Sequence, residues 1–149
     1  FDSNLVHGED LDMWRRIARR YPFGFINRGL AHIRVHEGNI SREKLNAADG
    51  LAKYLEKAFE DDASLSTRFR RRVFSNLYST MAYNLVGENG QPAMQAARQN
   101  AKLSMQYNPL NPHAYLAFIS TFIGSGTRKS LVARWRFLRS AVMSQKRTN

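Results

Sequence analysis

Apolar residues Leu11, Trp14, Ile17, Ala18 and Tyr21 recur at three- and four-residue steps. That is the spacing of one face of an α-helix, and it predicts a helix over 8–21, entered at Gly8. Glu9, Asp10 and Asp12 crowd its first turn, where the exposed N–H groups favour acids. Asp12 and Arg16, four apart, predict a small ion pair on its flank. Pro22 ends the helix, because the residue before a proline avoids helical geometry. Phe23-Gly24-Phe25-Ile26 and the run 31–36 then read as two short strands joined around Asn27-Arg28-Gly29. Two short strands are marginal alone, so their partner sheet is expected upstream of Phe1.

Beyond the strands the pattern is helical to the end. Ser41 suits an N-cap for a helix running to about 61, with Leu45, Ala48, Leu51, Leu55, Ala58 and Phe59 apolar. Asp61-Asp62-Ala63-Ser64 breaks it. Leu65, Phe69, Val73, Leu77, Met81 and Leu85 then recur every fourth residue, predicting a helix to about 86. Gly87 to Gly90 form a turn, and Pro92 fits the first position of a helix to about 107. Ala93, Ala96, Ala97 and Ala101 equip that helix for close packing. Asn111 caps and Pro112 opens another, with Tyr115, Phe118, Ile119 and Phe122 expected inward and an end near Gly124. A last helix is predicted from Thr127, with Leu131, Trp135, Leu138 and Val142 on one face.

With 149 residues, 43% of them hydrophobic, the chain is long enough for one ordinary domain with a core. No apolar run approaches the roughly 20 residues that span a bilayer. The absence of cysteine excludes disulfides and thiolate metal sites. The first residues carry neither an initiator Met nor a signal-peptide pattern, so the chain reads as a piece of a larger protein. The net charge of +11 favours anionic partners: a nucleotide diphosphate, anionic lipid, nucleic acid or an acidic polysaccharide. Much of the charge is spread over helix faces as isolated Arg and Lys, mainly a solvated surface, with two local concentrations: Arg68, Arg70, Arg71 and Arg72, and the last helix with its Lys146-Arg147 tail.

The line Phe1-Asp2-Ser3-Asn4-Leu5, a short spacer, then Glu9-Asp10-Leu11-Asp12-Met13-Trp14-Arg15-Arg16-Ile17-Ala18, resembles the acceptor-side segment of family 2 glycosyltransferases. That family carries F-D-E-x-L, a spacer and E-D-x-D-L-W-x-R-hydrophobic-A. The resemblance continues through Tyr21-Pro22-Phe23-Gly24-Phe25-Ile26 and Leu30-Ala31-His32-Ile33-Arg34-Val35-His36 to Asn39 and Ser41. Ile33 stands where the family has Tyr, a change that touches packing more than chemistry. The match covers roughly residues 1–42, so the expected division is 1–42, completing a catalytic domain, and 43–149, a helical extension. The expected fold is mainly α: a short β-hairpin or strand pair near the N-terminus, then an α-helical array, together the C-terminal part of an α/β glycosyltransferase. Within the extension, a helix, Asn108-Pro109-Leu110-Asn111-Pro112-His113-Ala114-Tyr115 and another helix are similar to the junction between tetratricopeptide repeats, whose period is about 34 residues. The Trp, Leu-Gly and Tyr positions of such a repeat are not kept, and a generic helical hairpin fits as well.

The resemblance implies transfer of a sugar from a nucleotide diphosphate sugar to a saccharide or lipid-linked acceptor hydroxyl, with inversion. Such a reaction needs a base for the hydroxyl proton and a divalent cation, Mg or Mn, for the departing diphosphate. By position the base is Asp10, with Glu9 beside it. His36 matches a histidine that in related enzymes helps ligate the metal; a loop hydrogen bond is its other reading. Arg16 and Arg34 match arginines that orient carboxylates or phosphate oxygens. His7 precedes the acidic motif and is expected to line the acceptor site. Trp14 would stack on an acceptor sugar or, as its apolar face favours, pack in the core. No D-x-D motif and no Gly-rich phosphate loop occurs, so the chain alone is expected to be inactive and to hold no metal tightly. The implied setting is polysaccharide biosynthesis in the cytoplasm, peripheral at the inner face of the plasma membrane. The last helix would lie on anionic lipid there, with Trp135 and Leu138 towards the acyl chains. Nucleic-acid binding ranks last, because aromatics are not interleaved with the basic residues. A competing reading is a non-enzymatic, tetratricopeptide-like interaction module in which Glu9 and Asp10 only cap a helix. Convergence of Asp10 and His36 on one concave, solvent-open site would favour the enzyme.

Overall fold

The structure, a computed structural model, describes residues 1–32, 34, 45, 47–88, 90–124 and 127. The fold is mainly α, with five helices among these residues: α1 (Glu9–Ala18), α2 (Ala47–Glu60), α3 (Thr67–Val86), α4 (Gln91–Tyr107) and α5 (Pro112–Ser120). No helix among them is long and apolar enough to cross a membrane. Contacts divide the chain into two compact units, Phe1–Arg70 and Arg71–Asn149. That division is one of packing; the expected boundary after residue 42 followed a family resemblance.

Among the described residues no strand pair is formed. Residues 23–26 form no strand, and Phe23, Phe25 and Ile26 lie exposed. Strand geometry needs a partner backbone to take its N–H and C=O groups. Among the described residues there is none, and the chain instead turns locally, with Arg28 N–H donating to Ile26 C=O at 2.9 Å. Most of the second strand, over 31–36, falls outside the described residues, as do Ser41 and the last predicted helix beyond Thr127, with Trp135 and Leu138.

In the first unit α1 packs on α2. Gly8 precedes α1 at φ 85°, a left-handed conformation that side chains resist, and a Cβ there would lie 3.1 Å from Tyr54 Cβ on α2. The apolar stripe read along α1 does not face inward. Leu11 is 45% and Trp14 50% exposed, whereas Asp12 is completely buried. Trp14 meets the exposed Phe23 edge to face, ring centroids 5.9 Å apart. The helix ends at Ala18 rather than 21, and both Arg20 and Tyr21 N–H close a final turn on Ile17 C=O at 2.9 Å.

The second unit has its core where α3, α4 and α5 meet through small side chains: Ala82 on α3, Ala97 and Ala101 on α4, and Ala117 on α5 are all fully buried, flanked by Tyr83, Leu85 and Val86. Such residues let helix axes approach closely. The four-residue run read along α3 is not its buried face. At about 100° per residue, each step of four turns the run a further 40°, so five steps carry it halfway round the helix. Leu65 and Phe69 are exposed, and the buried positions are Phe74, Ser75, Tyr78, Ser79, Ala82 and Tyr83 with Leu85 and Val86. Of the residues expected inward, Phe118 packs half-buried against the core, but Tyr115 and Ile119 on α5 and Phe122 just beyond it are exposed, while Ala114, Ala117 and Ser120 are buried. Proximity to the alanines of α4 selects the small side.

A buried amide ties this unit together. Asn111 caps α5, its side-chain oxygen accepting from His113 N–H at 3.1 Å. Its Nδ2 donates to Ser75 Oγ on α3 at 2.9 Å and lies 3.3 Å from Ser79 Oγ and from Ser104 Oγ on α4. Ser104 in turn donates to Ser75 C=O at 2.7 Å. Asn111→Ala removes the cap and orphans buried hydroxyls together, an expected loss of about 2–3 kcal/mol. Urea unfolding of the variant against wild type measures it.

Candidate functional site

The pattern E-D-x-D divides its acids by helix geometry. Asp10 and Asp12 are two residues apart and therefore about 200° apart around the axis. With one turned into the protein, the other must face out. Asp12 faces in and Asp10 is exposed.

Asp12 is the hub of an ionic network. Its Oδ1 accepts from Arg15 Nη2 at 3.0 Å; its Oδ2 accepts from Arg16 Nε at 3.0 Å and from Lys57 Nζ on α2 at 3.1 Å. Lys57 also donates to Asp2 Oδ2 at 2.7 Å, and Arg15 bridges to Asp61 just beyond α2. Three acids and three bases thus alternate, fixing α1 to α2 and to the N-terminal segment. That segment is itself turned by Asp2, whose Oδ1 takes Asn4 N–H at 2.9 Å and whose C=O takes Leu5 N–H, leaving Leu5 buried. The network outweighs the cost of burial. Burial alone would push the Asp12 carboxyl up, but Arg15 and Lys57 hold it below its ordinary value of 3.8. The Lys57 ammonium lowers Asp2 likewise, and Asp2 with Asp12 raises Lys57 above its usual 10.5.

These shifts give a pH dependence. Asp2 and Asp12 release their protons more readily folded than unfolded, so their stabilisation is complete above about pH 4 and drains away as pH falls below it. Lys57 holds its proton more tightly folded, so its share is complete below about pH 10 and is lost as pH rises through its higher folded value. Thermal melts should show a plateau between these limits and an acid loss that is diminished in Asp12→Asn.

The residues singled out from sequence fall around this hub. Asp10, at the second position of α1, accepts its neighbour Leu11 N–H on Oδ1 at 2.7 Å; among the described residues no donor meets its Oδ2. One oxygen thus serves the helix start on a side chain that is itself exposed. Gly8, the N-cap, has no side chain to supply a cap. Glu9 is half-buried. Trp14, four residues from Asp10, shares its outward face. Arg16 is half exposed but committed to Asp12. His7 is half-buried over α2 at Gly50, where a Cβ would come within 2.8 Å of its ring, and it lines an open cleft of about 290 Å³ with Leu5, Asp49 and Lys53. Arg34 is exposed. His36 lies outside the described residues, so its approach to Asp10 does too. Among the described residues no cluster of His, Asp or Glu could cage a metal ion.

Sequence reasoning found the Asp12–Arg16 pair through its four-residue spacing but missed Arg15, Lys57, Asp2 and Asp61. Arg15 stands three residues from Asp12 and was detectable by the same rule. Lys57 and Asp61 lie more than 40 positions away and leave no local signal. A second cleft, of about 490 Å³, opens by the far half of α1 and the turn after it, lined by Arg16, Arg19 and Arg20 together with Met13 and Ile17. In comparisons with known proteins, no family model, no curated protein and no solved structure matches this chain.

Proposed function

We propose that this chain carries the acceptor side of a family 2 glycosyltransferase, with Asp10 as the general base. The ordered sequence features over roughly residues 1–42 support the reading, and one structural observation carries it: Asp10 faces solvent on a helix whose orientation a buried ionic hub fixes. A base must be aimed, and rigid support from below aims it. In the reaction the acceptor hydroxyl oxygen attacks C1 of the donor sugar as its proton passes to Asp10 Oδ2. The C1–O bond to the nucleoside diphosphate breaks, and the diphosphate leaves with the electron pair. Attack opposite the leaving group inverts C1. Trp14, half exposed on the same face, offers a ring for an acceptor sugar to stack on. A divalent cation, when bound, neutralises the departing diphosphate; the described residues offer it no cage, and no step here runs through it.

The test is acceptor-dependent release of nucleoside diphosphate from nucleotide sugars by the protein that holds this chain together with a nucleotide-sugar-binding half. Release that requires both donor and acceptor supports the reading. Absence of release across the common donors, with folding intact, contradicts it.

One observation favours the second reading, a helical interaction module: Tyr115, Leu116 and Ile119 on α5 and Phe122 in the turn after it are exposed. Under that reading, substitution of these residues abolishes partner binding and Asp10→Asn does nothing.

A further inference from the structure

We infer that the cleft along the second half of α1 is an oxyanion subsite for an acidic saccharide acceptor, one bearing a phosphate or carboxylate beside the reacting sugar. The inference rests on the glycosyltransferase reading and narrows its substrate class. Three arginines, Arg16, Arg19 and Arg20, line one concave space of about 490 Å³. The carboxylate among its lining residues, Asp61, is engaged by Arg15 and brings little free negative charge. Arg16 holds Asp12 through Nε, and Arg19 donates from Nη1 to Asp61 C=O at 3.3 Å, so both are anchored with donors left over. Among the described residues the Arg20 guanidinium meets no acceptor. Planar forks of this kind match the paired oxygens of phosphate and carboxylate. A flat charged surface would explain the arginines alone; Met13, Ile17 and Tyr21, which line the same cleft, add apolar surface for a sugar ring.

Position links this cleft to Asp10. Met13 and Ile17 stand three and seven residues on from Asp10 and project from the same side of α1, the latter about 10 Å along the axis. An acceptor lying along α1 with its hydroxyl at Asp10 therefore brings a neighbouring substituent to the arginines. The helix C-terminus presents carbonyl oxygens at this end, which oppose an anion, and the arginines must outweigh them.

The experiment is titration calorimetry on the 149-residue chain with glucose 6-phosphate, glucose and inorganic phosphate, on wild type, Arg20→Gln and Arg72→Gln. The expected result is binding of glucose 6-phosphate, weakened at least about tenfold in Arg20→Gln and unchanged in Arg72→Gln. Glucose should not bind, and inorganic phosphate should bind more weakly than the sugar phosphate. Equal binding of inorganic phosphate and glucose 6-phosphate, or equal loss in both variants, would overturn the inference. So would absence of binding in wild type. Binding is read here without any transfer step, so failure of this subsite and failure of the transferase reading are separately visible.

Discussion

Asp12→Asn is expected to lower the stability of the first unit by roughly 2–3 kcal/mol, and its melting temperature by about 10 °C or more. Asp12 is completely buried and holds three cations, so the amide leaves Arg15, Arg16 and Lys57 facing a neutral group that accepts fewer bonds. Breaking a fully buried pair costs about 3–5 kcal/mol. The figure here is smaller because half of the Arg16 side chain and a third of Lys57 reach water and can be resolvated. Arg15 is the exception: its side chain is mostly buried, and among the described residues its Nε already lacks a hydrogen-bond partner. Asp61→Asn removes a more exposed carboxylate and should cost much less. Thermal unfolding of the two variants side by side separates a hub from a rim.

Much of the helical framework is readable without coordinates, for reasons that lie in particular residues. Pro92, Pro112 and Asn111 mark helix starts because their backbone chemistry permits little else, and α4 and α5 begin within a residue of where they were placed. Which face of a helix is buried is harder. On α5 hydrophobicity points to Tyr115 and Phe122, but the distance between helices selects Ala114 and Ala117. On α1 the most water-loving position of the face, Asp12, is the buried one, because its cations come from two helices and only one of them is local. Residues 23–26 form no strand for a related reason: they have strand chemistry, but strands are made by partners, and none meets them among the described residues. As for the candidate site, the E-D-x-D spacing sufficed to put its acids on opposite sides of α1. Which acid was buried depended on Lys57, which no local pattern connects to it.

Asp10→Asn is the substitution with the larger functional effect. An amide has nearly the shape of a carboxylate and can still accept Leu11 N–H, so the helix start should survive and the melting temperature should match wild type. What the amide cannot do is take the proton of an acceptor hydroxyl. Loss of a positioned base typically costs roughly 10²- to 10⁴-fold in rate. Binding of donor and acceptor should persist, so the loss should fall on kcat and leave KM little changed. Asp10→Glu keeps the chemistry and misplaces it by one methylene, so it should retain an intermediate rate. Glu9→Gln, at a half-buried neighbour, should lose less than Asp10→Asn. The decisive measurement is the initial rate of sugar transfer by Asp10→Asn, at equal folded concentration, in the protein that supplies the nucleotide-sugar half. The account predicts about one hundredth of the wild-type rate or less; a rate within about twofold of wild type, from a variant that melts as wild type does, would contradict it.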